Sequence, residues 1–391
     1  MKILFLCHRF PFPADGGGKI RALKMIEHLA KRHEVHVVSM IRNNEEAAQA
    51  PGLLNYCAGY TAPRIGMGAV MTGAFRSVLT GGSLSEAYFG STHVHRAVRQ
   101  LLAQHNFDRI VLHCSAMGQY VEAIESIPRL MDFCDIDSEK WRMYADRQSG
   151  PKAWLYRYEQ HAVARLERRL AESFELCSVA TAAELDSLNT IAKPRKALWF
   201  ANGVDLEFFK PRAIPHDSNT LCFVGRMDYY PNIECVVRFV NDAWPIIRAE
   251  NPEARFVIVG AEPTDAVREL ANTPGVQVTG TVKDVRDWVG QATAMVAPLA
   301  IARGTQNKIL EAMSLGVPVI TSPIAARGVH EAAVRRILVS HSAEEVAQAC
   351  LELMRNAKHR RQLSVMGRRI VRQKYSWSMT LSDMEAAVAS L

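Results

Sequence analysis

The stretch Ala297-Pro-Leu-Ala-Ile-Ala-Arg-Gly-Thr-Gln-Asn-Lys-Ile-Leu-Glu-Ala-Met-Ser-Leu-Gly-Val-Pro-Val-Ile-Thr321 decides the fold. It reads as the end of a buried strand, a polar loop containing Gly304, a helix starting near Thr305 or Gln306, a stop at Gly316 and a second buried strand. That is one βα unit of a parallel sheet. A helix that starts behind a glycine points backbone N–H groups and a positive dipole end at any anion nearby, and the glycine lets the anion come close. A diphosphate fits Arg303, Gly304, Thr305, Gln306 and Asn307. Lys308 in the first turn adds a point charge, and Glu311, one turn on, offers a two-oxygen acceptor for a pair of ribose hydroxyls. The plainer alternative is a βα unit with a merely polar loop and a surface Glu311.

The same unit recurs outward in both directions. In the first half the apolar runs are Lys2–Cys7, Val35–Met40, Arg109–Cys114, Arg129–Cys134 and Leu176–Ala180. In the second they are Thr220–Val224, Arg255–Val259, Val276–Thr279, Ala294–Pro298, Val317–Thr321 and Arg336–Val339. Helical patterns such as Lys19–Lys31, Val94–Gln104, Trp154–Leu170, Asn232–Ala249, Asn307–Leu315 and Ala343–Arg355 alternate with them. Two series in 391 residues predict two doubly wound α/β domains, 1–200 and 201–375. A helix over 376–391 is expected to cross back onto the first domain. The join falls near Phe200–Ser218, where Asn202-Gly203 and Pro211 to Pro215 break regular structure. Ligands of such sheets bind beyond the carboxyl ends of the strands, so the site is expected in a cleft between the domains.

Composition narrows the classes further. The chain is 48% hydrophobic and 22% charged, within the globular range, and no run reaches the roughly 18–20 apolar residues of a membrane span. The apolar start Met1–Cys7 ends at His8-Arg9, too short for a secretory leader, and is read as a strand. The eight cysteines lack C-x-x-C or zinc spacing and are expected to be reduced thiols of a cytoplasmic protein. The net charge of +7 is read as a mild excess spread over many positions, without a block. It suits phosphate-bearing substrates or an anionic membrane surface and predicts no nucleic-acid partner.

The string Glu311-Ala-Met-Ser-Leu-Gly-Val-Pro-Val319 closely resembles the donor-binding signature of GT-B glycosyltransferases of family 4, also called glycosyltransferase group 1. Three further segments are similar to that family. They are Ala201-Asn-Gly-Val-Asp-Leu-Glu-Phe-Phe-Lys-Pro211, like the inter-domain hinge; Phe223-Val-Gly-Arg-Met227, with Arg226 in the place of a diphosphate-binding arginine; and the loop Pro11–Gly18. That loop is no dinucleotide fingerprint, because Arg21 stands where the third glycine is required. The resemblance implies two Rossmann-like domains facing a cleft. It implies a hexosyltransferase-type enzyme (EC 2.4) of the kind associated with exopolysaccharide, which transfers a sugar, with retention, from a nucleotide diphosphate sugar to a glycan or lipid-linked acceptor. It assigns Gly17 and Gly18 to the donor phosphates, His113 to the sugar, and Arg226 and Lys308 to the leaving diphosphate. Neither a metal nor another cofactor is implied.

Two departures stand out. The family carries two glutamates seven residues apart, but here Arg303 takes the first place, which implies an altered sugar contact. The family's lysine about five residues after the arginine is replaced by Pro231, so Lys308 is the substitute. Asp135-Ile-Asp137 looks like the D-x-D metal motif of the GT-A fold, but is read instead as a helix N-cap with Ser138 and Glu139. Lys152–Arg169 and Gly66–Gly82 with Arg76 mix aromatic or apolar residues with positive charge, a pattern that suits peripheral contact with the inner face of an anionic membrane. A solvated helix face packed on its own domain is the commoner explanation of such segments. Two other functions remain open: a nucleotide-sugar epimerase of the same architecture, for which no extra set of carboxylates is identified, and a non-catalytic nucleotide-sugar-binding subunit marked by Arg303. The missing fingerprint disfavours an oxidoreductase.

Overall fold

The computed structural model describes residues 1–65, 77 and 80–391. Two compact units emerge: Met1–Ala201 with Thr380–Leu391, and Asn202–Met379. The Gly66–Gly82 patch with Arg76 lies largely outside the described residues.

The first unit is built on a seven-stranded sheet. Its strands are β1 (Lys2–Cys7), β2 (Glu34–Val38), β3 (Gly59–Thr61), β4 (Arg109–His113), β5 (Arg129–Cys134), β6 (Leu176–Val179) and β7 (Ala197–Trp199). The order is β3-β2-β1-β4-β5-β6-β7, and every described pairing is parallel. Ile3 to Cys7 are fully buried, as a strand covered on both faces requires. Helices α1 (Gly17–Ala30), α2 (Thr92–Gln104), α3 (Asp137–Ala145), α4 (Gly150–Ser173) and α5 (Ala182–Ile191) accompany the sheet. Helix α1 buries Ala22, Leu23, Met25, Ile26 and Leu29, an apolar stripe at helical spacing.

In the second unit, β8 (Asp217–Val224), β9 (Arg255–Val259), β10 (Val276–Gly280), β11 (Ala292–Ala297), β12 (Val319–Thr321) and β13 (Leu338–Val339) form a parallel sheet of order β10-β9-β8-β11-β12-β13. Its principal helices are α6 (Tyr230–Arg238), α7 (Asn307–Ser314), α8 (Ala343–Arg355) and α9 (Ala357–Lys374). Helix α10 (Trp377–Ala389) ends the chain, and its residues from Thr380 onward group with the first unit. There Glu385 takes a 2.9 Å hydrogen bond from His28, and the Val388 carbonyl takes one of 3.1 Å from Arg109.

Both sheets reverse their winding once, between β1 and β4 and between β8 and β11. At such a point the loops leaving neighbouring strands part and open a crevice beyond the carboxyl ends. The fold therefore selects four loops, those after β1, β4, β8 and β11. The residues singled out from the sequence for nucleotide or sugar contact lie on these loops or just past them, except His113, which is the last residue of β4.

Candidate active site

In the second unit, β8 ends at Val224 and the chain turns through Gly225-Arg226. A Cβ on Gly225 would lie 2.5 Å from Asn232 Nδ2 and 3.1 Å from Lys308 Nζ, and one on Gly260 would lie 1.7 Å from the Gly225 carbonyl oxygen. These two glycines let the ends of β8 and β9 close onto the polar groups above them. Lys308 Nζ donates to Asn232 Oδ1 at 2.6 Å, and Asn232 Nδ2 donates to the Arg226 carbonyl at 2.8 Å. Asn232 thus ties the α7 lysine to the loop after β8. The ammonium also sits 4.2 Å from the centre of the Phe223 ring, within range of a cation–π attraction.

Helix α7 begins at Asn307 with Gln306 as its N-cap, and no side chain caps it. Gln306 instead donates to the Arg303 carbonyl at 2.8 Å, which closes the loop, and Gly304 supplies a positive φ of 58°. A Cβ on Gly328 would lie 2.1 Å from the Gly304 carbonyl oxygen, so the loop is pressed against a second glycine. Asn307 Oδ1 accepts from Asn202 Nδ2 at 3.0 Å. The helix ends as the sequence reading expects, with Gly316 at φ 78°.

Burial pushes the Lys308 ammonium down to about 8, against the pull of Glu311. It pushes the Glu311 carboxyl up to about 7, against the pull of Lys308. Glu311 takes no hydrogen bond from a described side chain or backbone group. Both side chains keep part of their surface open, so a polar ligand can reach the Glu311 carboxylate beside the Lys308 cation. Arg226 differs. It is half exposed and paired with Asp228, at 2.8 and 3.1 Å, and with Glu262.

The first unit holds a polar cluster built from α1, β4, β5 and β6. Asp132 is fully buried and accepts from Arg21 Nε at 2.9 Å, Arg21 Nη2 at 2.8 Å and Ser178 Oγ at 2.8 Å. His113 Nδ1 lies 2.8 Å from the same carboxylate. Burial alone would raise Asp132, but the Arg21 charge and hydrogen bonds, with help from His113, hold it well below the usual carboxylate range. A carboxylate only accepts, so Nδ1 of His113 carries the proton and Nε2 is the outward nitrogen. Nε2 lies 3.9 Å from where a Cβ on Gly18 would be. The structure therefore brings His113 to the start of α1, beside Gly18.

Arg21 and Asp132 were not singled out from the sequence. The available signal was a charge within each buried pattern, Arg21 on the α1 stripe and Asp132 inside β5. His8 was also missed. Its Nδ1 is buried without a partner among the described residues, and its ring centre is 5.7 Å from that of His113. Burial, reinforced by His113, holds it well below its ordinary value.

Asp135-Ile-Asp137 departs from the N-cap reading. Ile136 is the residue before α3, no side chain caps the helix, and Asp137 pairs with Lys140 in the first turn. Cys134 adopts a positive φ of 64° and turns Asp135 inward, where Oδ1 is left without a partner. Burial, then Glu184 and Asp137, push Asp135 up to about 7. Among the described residues no group of three or more His, Cys, Asp or Glu side chains is placed to hold a metal ion.

Comparison with known proteins bears on the family and the fold. Residues 218–356 match the family described as glycosyl transferases group 1. Sucrose-phosphate synthase from Thermosynechococcus elongatus superposes with a TM-score of 0.74 at 17% identity, covering 100% of this chain and 99% of that one. Anabaena HepE in complex with UDP-glucose gives 0.70 at 14% identity over 100% of both chains, and WaaG, a glycosyltransferase involved in lipopolysaccharide biosynthesis, gives 0.65 at 14% over 100% of both. A Klebsiella pneumoniae chain described as an uncharacterized 44.6 kDa protein in the cps region is 18% identical over 398 residues, 98% of each chain. The architecture is that of the GT-B glycosyltransferases. Residues 218–356, most of the second unit, are similar to the glycosyl transferases group 1 family.

Proposed function

We propose that the chain transfers a sugar, with retention of anomeric configuration, from a nucleoside diphosphate sugar to a glycan or lipid-linked acceptor. The observation that carries this is the Lys308–Asn232–Arg226 linkage above Gly225 and Gly260, with the unpartnered Glu311 one turn along α7. Lys308 and the start of α7 hold the diphosphate, and Glu311 takes the ribose hydroxyls. Arg226 exchanges its carboxylate partners for phosphate oxygens. Lys308 fills the role of the lysine that Pro231 displaces, since its ammonium meets Asn232, the residue after that proline. UDP-glucose in Anabaena HepE supports a uridine donor.

In the reaction the anomeric C–O bond to the diphosphate breaks as the acceptor oxygen bonds to the same face of the sugar. The departing phosphate oxygen takes the acceptor proton. The protein's contribution is charge stabilisation of the leaving group by Lys308, Arg226 and the helix start. No cofactor is proposed beyond the donor itself. His113 Nε2, oriented by Asp132, hydrogen-bonds a sugar hydroxyl, and Gly17 and Gly18 leave room beside it. Arg303, in place of the family's first glutamate, contacts the sugar with a donor instead of an acceptor and so selects a different hydroxyl pattern or an acidic sugar. A lipid-linked acceptor would draw a cytoplasmic protein to the inner face of a membrane.

The test is incubation with UDP-, GDP- and ADP-sugars, with and without membrane extract, while released nucleotide and the product's anomeric proton are followed by NMR. Acceptor-dependent release with retained configuration is the expected result. Conversion of the donor without acceptor means epimerisation, and binding without release means a subunit that does not turn over.

A further inference from the structure

The positive excess of the chain is not spread along it, as the sequence reading has it. Residues 353–382 contain Arg355, Lys358, Arg360, Arg361, Arg368, Arg369, Arg372 and Lys374 and no Asp or Glu. Without these eight cations the formal charge would fall from +7 to −1. Arg355 is paired with Glu250, and Arg360 donates to the Leu353 and Met354 carbonyls. The other six have no carboxylate partner within 4.0 Å among the described residues.

Helix geometry sorts them. Lys358, Arg361, Val365, Arg368 and Arg372 follow a three-four-three-four spacing, and Arg369 falls beside them, so all lie within an arc of about 100° along about 21 Å of α9. The opposite face is committed to the unit, with Gly367 and Val371 buried and Gly367 lying against Met313. Two open grooves follow the stripe. One, of about 570 Å³, is lined by Lys358, Arg361, Gln362, Val365 and Met366. The other, of about 620 Å³, runs past Val365 to Arg368, Arg369 and Arg372 over a floor of Pro211, Leu315 and Gly316. Val365, 62% exposed, is the ridge between them.

We propose that this face binds a linear anionic glycan, whose sugar units occupy the two grooves in series while its carboxylate or phosphate groups meet the arginines. Arg forks match such groups two oxygens at a time. A bilayer is disfavoured because a helix lying in a membrane surface needs a free apolar face with Trp, Phe or Leu, and the apolar face of α9 is already used. A single-stranded nucleic acid is disfavoured because, among the described residues, no aromatic ring lines either groove to stack a base. The second groove adjoins the Leu315 end of α7, about 12 Å along that helix from Asn307, so the face is separate from the proposed donor site.

Binding of a galacturonate decamer to the full-length protein, followed by calorimetry, tests the proposal without any turnover, so a failure of the donor assignment does not affect it. Binding is expected, at least tenfold weaker in 0.5 M than in 0.05 M NaCl, absent for neutral maltodecaose, and lost in the triple variant Arg361→Gln, Arg368→Gln, Arg372→Gln. Val365→Glu, a change at an exposed position, should weaken binding at least fivefold even where the triple variant folds poorly. No binding by the wild-type protein, or equal binding by well-folded variants, overturns the proposal. So does tighter retention on phosphatidylglycerol vesicles, or on a thymidylate 20-mer, than on the glycan.

Discussion

Lys308 and Glu311 illustrate how burial converts two ordinary side chains into a site with a pH signature. Lys308 carries its charge below about 8, and Glu311 is ionised above about 7. Donor affinity should therefore fall as pH rises through about 8, when the lysine loses its proton. It should fall again as pH drops below about 7, when the glutamate no longer accepts from two hydroxyls. A fluorescent UDP-sugar titration across pH 5.5–9.5 would show this maximum; Lys308→Arg should remove the alkaline limb and Glu311→Gln the acid one. Asp132 makes a different prediction. Replacing it with Asn leaves Arg21 buried without its counter-ion, a loss of about 3–5 kcal/mol in urea unfolding. An unchanged midpoint would mean that the pair contributes nothing net. Neither residue of that pair was marked by a motif, since ion pairs form between residues 111 apart and only the fold brings them together.

Elements differed in how plainly they could be read. Lys2–Cys7, Arg129–Cys134, Arg255–Val259 and Ala343–Arg355 were found with the same ends, because a strand buried on both faces or a full amphipathic helix writes its pattern in the chain. Strands β3 and β7, three residues each at the sheet edges, were missed because too few residues were present to show a period. Helix α9 was also missed. Its cations on the outer face outnumber the residues that pack, and only the structure shows which side is which. The expected single helix Asn232–Ala249 is instead interrupted at Phe239–Ala243 by a wider turn, just before Pro245, whose ring cannot continue the regular ladder. Glycines that join elements give a sharp prediction. A Cβ on Gly203 would lie 2.7 Å from the Trp377 Cα, a backbone atom that cannot swing aside. Gly203→Ala should destabilise the second unit by roughly 1–3 kcal/mol in thermal unfolding. Gly225→Ala, by displacing Asn232 and Lys308, should instead weaken donor binding about tenfold with little change in melting temperature.

For the whole molecule, the α/β class and the similarity to glycosyl transferases group 1 over residues 218–356 could be read from the sequence because the motif at Gly304–Glu311 sits at a topological switch point, where chain geometry and ligand chemistry coincide. What could not be read was the environment: that Lys308 reaches Asn232, that Asp135 is turned inward, and that the positive charge gathers on one helix face. The central claim is that Lys308 and Arg226 stabilise a departing nucleoside diphosphate. It is tested most directly by comparing acceptor-dependent release of nucleotide by the wild-type chain with that by Lys308→Ala and Arg226→Ala, each confirmed as folded by circular dichroism. The account predicts at least a tenfold loss in both variants; release at the wild-type rate from either would contradict it.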